Sequence, residues 1–265
     1  MNIQTARLAK LLSQAEVSLP IYLEQTRGLS HETKGIRRSE MFFLYASVAD
    51  LNPKRIIESG RARAQSTLVL ARLFPKALIV SLESDPTSSD VKIAAERLGE
   101  SGNVDCRFGD SLLLLPELVE AGDVVLIDGP KDFRALKLAF RLLRGGKPLA
   151  VFVHDLWLGS PARRFVDRYL PSALLSDDPE WVQRYASLDS SRRAQPPVSK
   201  AVRHVYGATM GCFEARQENY SLRLFQSSAA QGADRIRETA RKLLRRPPTV
   251  RPKDFAKFPI STQRR

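Results

Sequence analysis

The apolar positions of the chain change period along its length. Between Ser39 and Leu51, Met41, Phe42, Leu44, Tyr45 and Val48 recur at near-helical spacing, and Asn52-Pro53 ends the run. Residues 1–50 therefore read as a helical segment. From Arg55 the pattern alternates short continuous apolar runs with helical stripes. Strands are expected at Arg55–Glu58, Ala77–Glu83, Val104–Phe108, Val124–Asp128 and Leu149–Val153. Between them, Ser66 or Thr67 is expected to cap a helix running to about Phe74, before Pro75. Ser88–Leu98 is expected to be helical up to Gly99, and Pro116 to open a helix through Val119. Phe133, Leu136, Phe140 and Leu143 form one apolar stripe, closed by Gly145-Gly146.

Strands and helices in strict alternation, with strands apolar throughout, predict an α/β fold. It is a doubly wound, Rossmann-like, mostly parallel sheet with helices on both faces. Beyond His154-Asp155 the pattern is looser. Pro161–Leu170 reads as a helix and 176–200 as a loop or lid. Tyr206–Glu214 and Ser221–Phe225 read as late strands. Residues 227–265 read as a linker, a basic helix from about Asp234 to Arg245, and a Pro-rich end. The expected division is a helical segment at 1–50, an α/β domain at 51–226 and a basic extension at 227–265.

Charge is unevenly distributed. Residues 231–265 carry eleven basic and three acidic side chains, a net +8 out of +13 for all 265 residues. The α/β part is thus only mildly basic and has no need of a polyanionic partner. The extension is open to two readings: contact with nucleic acid or an anionic membrane, and a solvated tail. Two cysteines, Cys106 and Cys212, make no disulfide framework, and no Cys/His group has zinc spacing. With neither a bilayer-spanning apolar run nor the apolar core of a signal peptide, a cytoplasmic location is expected.

Ligands of such sheets bind at the carboxyl ends of the strands. Five successive strand ends here carry Glu58, Glu83, Asp110, Asp128 and Asp155. A carboxylate accepts two hydroxyl hydrogen bonds, so Glu83 suits a ribose diol. His154 is a candidate general base, and a strand-end histidine bonded to Asp128 or Asp155 is the plain alternative. Asp128, His154 and Asp155 are also a hard-ligand set for magnesium or manganese, or acids that orient substrate and backbone without metal. Arg61, Arg63, Lys131 and Arg134 lie near the same ends, either solvated or as a patch for an anionic ligand.

The first strand and its loop, Glu58-Ser59-Gly60-Arg61-Ala62-Arg63-Ala64, resemble the first motif of class I S-adenosylmethionine-dependent methyltransferases, E-x-G-x-G-x-G. Ala62 and Ala64 stand where that family places its second and third glycines. The dinucleotide fingerprint is matched less well, because Gln65 occupies the position where its third glycine packs helix on strand. Ile127-Asp128-Gly129-Pro130-Lys131, the following helix, Gly145-Gly146 and His154-Asp155 resemble a bacterial branch of small-molecule and sugar O-methyltransferases that includes cephalosporin-hydroxylase-like proteins. That branch reads I-D-G-x-H, so Lys131 replaces its imidazole. The resemblance covers about residues 40–160.

It implies S-adenosylmethionine as cofactor, held by Glu58, Gly60, Ala62, Glu83, Asp110 and Asp128, with His154 and Asp128 catalytic and a small-molecule or sugar acceptor. It also implies a divalent metal at Asp128, His154 and Asp155. The alternatives are a catalytically decayed binding protein on the same fold, which Ala62 and Ala64 favour, a hydroxylase-like enzyme, and a nucleic-acid methyltransferase recruited through the tail.

Overall fold

The computed structural model describes residues 3–30, 35–99, 101–189, 210–215 and 218–243. A seven-stranded sheet forms from β1 (Arg55–Ser59), β2 (Leu78–Glu83), β3 (Val104–Phe108), β4 (Val124–Ile127), β5 (Ala150–Val153), β6 (Leu174–Leu175) and β7 (Gly211–Glu214), in the order β3-β2-β1-β4-β5-β7-β6. The first five strands are mutually parallel, with Ile57 paired to Val80 on one side and to Val125 on the other. β7 runs antiparallel to both β5 and β6. The fold is the doubly wound, Rossmann-like arrangement, with its switch point between β1 and β4.

Alternate residues of each strand feed two cores. Ile56, Ile79, Val124, Leu126 and Phe152 face α1 (Ile3–Gln25), α2 (Arg38–Val48), α3 (Gln65–Leu73) and α8 (Pro179–Tyr185). Ile57, Val80, Val125, Ile127, Val151 and Phe213 face α5 (Ser111–Leu118), α6 (Asp132–Arg144), α7 (Pro161–Tyr169) and the start of α9 (Tyr220–Leu243). The remaining helix, α4 (Ser89–Leu98), packs Ala94 and Leu98 near Ala64. α2 is apolar on nearly every side and is buried accordingly, with Phe42 and Phe43 against Trp181 of α8.

Several expectations are corrected. The segment from 176 to 189 is no lid: it carries α8, and Trp181 is fully buried in the first core. Residues 190–209 lie outside the described residues, so only Gly211–Glu214 of the late strand expected at Tyr206–Glu214 is described. Ser221–Phe225 is helix, not strand. The alternation of Leu222 and Leu224 mimics a strand, but Tyr220, Leu224 and Ser227 share a helical stripe turned toward α6, while Phe225 is exposed. Lys137 of α6 donates to Gln231 further along at 2.6 Å. α9 therefore runs through 227–233 without a linker, and residues 244–265 lie outside the described residues.

α5 starts at Ser111 rather than at Pro116, because the Asp110 carboxylate accepts from Leu112 N at 2.8 Å and caps it. Ser66 and Thr67 sit inside α3 and do not cap it.

The loop after β1 takes a glycine-like path made largely of alanine. Gly60 has φ +90°, Ala62 φ 44° and Ala64 φ 59°. A Cβ on Gly60 would meet Gly129 N at 2.9 Å and Asp128 C at 3.0 Å, so position 60 admits glycine alone. A left-handed alanine costs about 1–2 kcal/mol. Glycine relieves that cost and returns about 0.4–1 kcal/mol to the unfolded chain. Ala62 is exposed, so its methyl group contributes little packing. Ala62→Gly is therefore expected to raise the unfolding free energy by roughly 0.5 kcal/mol, and Gly60→Ala to lower it by at least about 2 kcal/mol. Urea denaturation midpoints check both; a destabilising Ala62→Gly would contradict this loop conformation.

Candidate functional site

The loop is fastened from below and from the side. Gly60 N and Arg61 N both donate to Leu82 O at 3.0 Å. Beneath them Glu58 is fully buried and accepts hydrogen bonds from Ser66 Oγ, Thr67 Oγ1 and, at 2.8 Å, Ser81 Oγ. Burial pushes its carboxyl group above the usual range, against the pull of the three hydroxyls. Glu58 thus supports the loop from inside and presents no surface to a ligand.

Glu83 lies at the lip. Its Oε2 accepts from Ala62 N at 2.8 Å, and its Oε1 from Ser84 N at 2.8 Å and Asp85 N at 3.2 Å. Asp110 is exposed beyond β3 and has one oxygen engaged in the α5 cap.

The two arginines of the loop are taken up by structure. Arg61 is buried, donates to Ser81 O at 2.7 Å and Arg107 O at 3.3 Å, and stacks on Phe108. Arg63 pairs with Asp90 of α4 at 2.8 Å. Arg61 is thus withdrawn from solvent, while Arg63 stays half exposed in its surface pair with Asp90.

A charged cluster stands across the switch point. Asp128 follows β4, and its N–H donates to Ser59 O at 2.9 Å, which seats it against the β1 loop. His154 follows β5, and its N–H donates to Ile127 O at 3.0 Å. The His154 ring bridges two carboxylates, with Nδ1 2.6 Å from Asp128 Oδ1 and Nε2 3.4 Å from Glu40 Oε2. Lys131 Nζ lies 2.5 Å from Asp128 Oδ1 and 2.8 Å from Asp155 Oδ2. Asp128, His154 and Asp155, expected together, are brought together: one ligand-type atom from each lies within 4.8 Å of the others.

The charges define the protonation states. Burial disfavours the His154 imidazolium, but the Glu40 charge and the bonds to Asp128 and Glu40 outweigh it and hold its pKa well above the ordinary 6.5. Burial would raise Asp128, yet the His154 hydrogen bond and charge, with Lys131 beside it, bring it to about 2. Lys131 is held above its usual range by Asp128 and Asp155 despite desolvation.

Glu40 is the site residue that sequence reasoning missed. It is buried in the first turn of α2, where its Oε2 also accepts from Arg37 N at 2.9 Å. The available signal was an acid set inside the apolar run Met41-Phe42-Phe43-Leu44.

The expected tail contacts fall largely outside the described residues. Within them, Asp234 of α9 pairs with Arg164 at 3.5 Å. Among the described residues, no helix is long and apolar enough to cross a membrane.

No protein-family model matches the chain. Over 101 residues it is 35% identical to a catechol O-methyltransferase of Niastella koreensis, a match that covers 35% of this chain and 46% of the relative. The chain thus matches less than half the length of that curated relative. Among solved structures, the O-methyltransferase TomG of Streptomyces achromogenes, in complex with S-adenosylmethionine, is 21% identical. The match covers 78% of this chain and 89% of TomG, with a TM-score of 0.42. An O-methyltransferase of Bacillus cereus, in complex with S-adenosylhomocysteine, is 18% identical over 76% of this chain and 89% of its own, also with a TM-score of 0.42. Over that stretch of about 101 residues the chain is similar in sequence to an O-methyltransferase.

Proposed function

We propose that this protein is an S-adenosylmethionine-dependent O-methyltransferase acting on a hydroxylated small molecule, with a phenol, catechol or sugar as acceptor. One observation carries the reading. The loop expected to receive the cofactor and the Asp128–His154–Lys131 cluster are in direct contact, through Asp128 N on Ser59 O and the close approach of Gly60 to Gly129. Methyl transfer to oxygen needs that adjacency, because donor and base must stand on two sides of one hydroxyl.

When bound, the cofactor supplies an electrophilic methyl group on a cationic sulfur. The chain's residues provide the rest. Gly60, bare of a side chain, lets the β1 loop close onto the Asp128–Gly129 peptide and so brings the cluster to the loop. Glu83, at the lip, offers acceptor capacity to a diol. Glu40, Asp128 and Asp155 against Lys131 and a protonated His154 leave the cluster with one net negative charge, which complements a sulfonium. His154 Nδ1 or Nε2, once free of its proton, accepts the hydroxyl proton as the oxygen–carbon bond forms and the sulfur–carbon bond breaks. Lys131 and Arg134 are the cations an anionic acceptor would meet. Cys106 and Cys212 are unpaired, in keeping with the cytoplasm.

A divalent ion such as magnesium on Asp128, His154 and Asp155 is a second reading, favoured by the gathering of their ligand atoms. Those atoms already have charged partners, and no step above needs the ion. A decayed binding protein would keep the fold and lose the cofactor.

Calorimetric titration of the full chain with S-adenosylmethionine and S-adenosylhomocysteine tests the reading. Binding in the micromolar range is expected, weakened at least about tenfold by Glu83→Ala, the loss of one charged hydrogen-bonding group. Absence of binding for both ligands overturns the proposal.

The pH dependence tests the base. Because Glu40 and Asp128 favour the imidazolium, the free base is scarce at neutral pH and grows as pH rises. Methyl transfer is expected to increase with pH through a pKa well above 6.5. In Glu40→Gln, which removes a stabilising negative charge, the inflection should move down toward the ordinary histidine value. A wild-type profile that falls above neutrality would rule His154 out as the base.

A further inference from the structure

We propose that the Lys131 ammonium is the resident cation of this cluster, standing where a divalent metal would otherwise bind, and that the site works without metal. The part of this argument that concerns sulfonium rests on the methyltransferase reading; the geometry does not.

The two carboxylates that would bridge a metal are bridged already. Lys131 Nζ spans Asp128 Oδ1 and Asp155 Oδ2, at 2.5 and 2.8 Å, joining the ends of β4 and β5. The Asp155 contact has the length of a charge-assisted hydrogen bond, and the Asp128 contact is closer still. The third donor is engaged as well. His154 Nδ1 lies 2.6 Å from the same Asp128 oxygen, and the charged ring is favoured by Glu40 on its far side. To ligate a metal through Nδ1, the imidazole would have to give up the proton it shares with Asp128. A hard dication prefers about six oxygen donors. Here it would have to displace a tethered ammonium and a proton to gain two carboxylates and a nitrogen.

The local sequence fixes the lysine in place. Lys131 directly precedes α6 in extended conformation (φ −110°, ψ 166°), and its ammonium lies between the carboxylates that follow β4 and β5. Net charge points the same way. With lysine the cluster already carries one negative charge, which suits a cationic sulfur; a dication that displaced the ammonium and the imidazole proton would leave that net charge unchanged and so add nothing.

Electron paramagnetic resonance of Mn²⁺ in solution with the full chain, with neither cofactor nor acceptor present, tests the assignment. Wild type is expected to leave the free-ion signal undiminished up to about 1 mM. Lys131→Ala and Lys131→Met should each take up one Mn²⁺ per chain at least about tenfold more tightly, since a repelling charge is gone and two carboxylates are freed. Lys131→Arg should behave as wild type, and Asp155→Asn added to Lys131→Ala should abolish the gain. Saturable Mn²⁺ binding by wild type below about 100 μM overturns the proposal. So does failure of both uncharged variants to gain an ion while their circular dichroism and melting remain those of folded protein. Because no methyl donor is present, a negative result here is distinct from failure of the methyltransferase reading, which the calorimetric titration decides.

Discussion

The carboxyl end of the sheet depends on the close approach of the β1 loop to the peptide joining Asp128 and Gly129. Ser59 O accepts from Asp128 N at 2.9 Å and from Gly129 N at 3.2 Å, and Ser59 Oγ in turn donates to Gly129 O at 2.5 Å. No side chain fits between Gly60 and that peptide. Two loops that diverge to opposite sides of the switch point are thereby locked together over a buried Glu58, whose hydroxyl partners come from α3 and β2. Asp128 cannot drift from the β1 loop, and every group bonded to Asp128 is positioned relative to that loop.

Charge then organises the cluster across distant parts of the chain. Glu40 and His154 are 114 residues apart in sequence, and burial makes their partnership strongly felt. A buried acid at the head of an apolar helix is costly unless it is paired. Glu40 is satisfied twice, by Arg37 N at the helix start and by the His154 ring. This ties the N-terminal helical segment to the α/β domain electrostatically as well as through Phe42, Phe43 and Trp181. Asp128 is shared between His154 and Lys131, so the two cations compete for a single carboxylate oxygen. A substitution at either will alter the protonation of the other.

Much of this was legible in the sequence where one physical signal dominates. The parallel strands read clearly because both of their faces are buried, and acids mark their ends because the apolar run stops where each strand leaves the core. Asp128, His154 and Asp155 were identifiable for that reason. Side-chain direction was less readable. Glu58 matches the motif acid but turns into the core, and Arg61 turns beneath the loop to carbonyls of β2 and β3. Neither spacing nor composition encodes those turns. α9 was misread because two leucines at alternate positions imitate a strand over five residues, whereas its helical stripe needs a longer window. The Trp181 segment reads as loop because a polar stretch conceals two aromatic anchors, Trp181 and Tyr185, that pack on Phe42 of α2.

We propose that the methyl donor binds over the β1 loop with its sulfur toward the Asp128–His154–Lys131 cluster. A crystal structure of the full chain with S-adenosylhomocysteine tests it most directly. The ribose hydroxyls are expected on Glu83, the ligand against the loop at Gly60 and Ala62, and the sulfur facing the cluster with the Lys131 ammonium still between Asp128 and Asp155. A ligand bound elsewhere, or bound in the crevice with its sulfur turned away from His154, would contradict it.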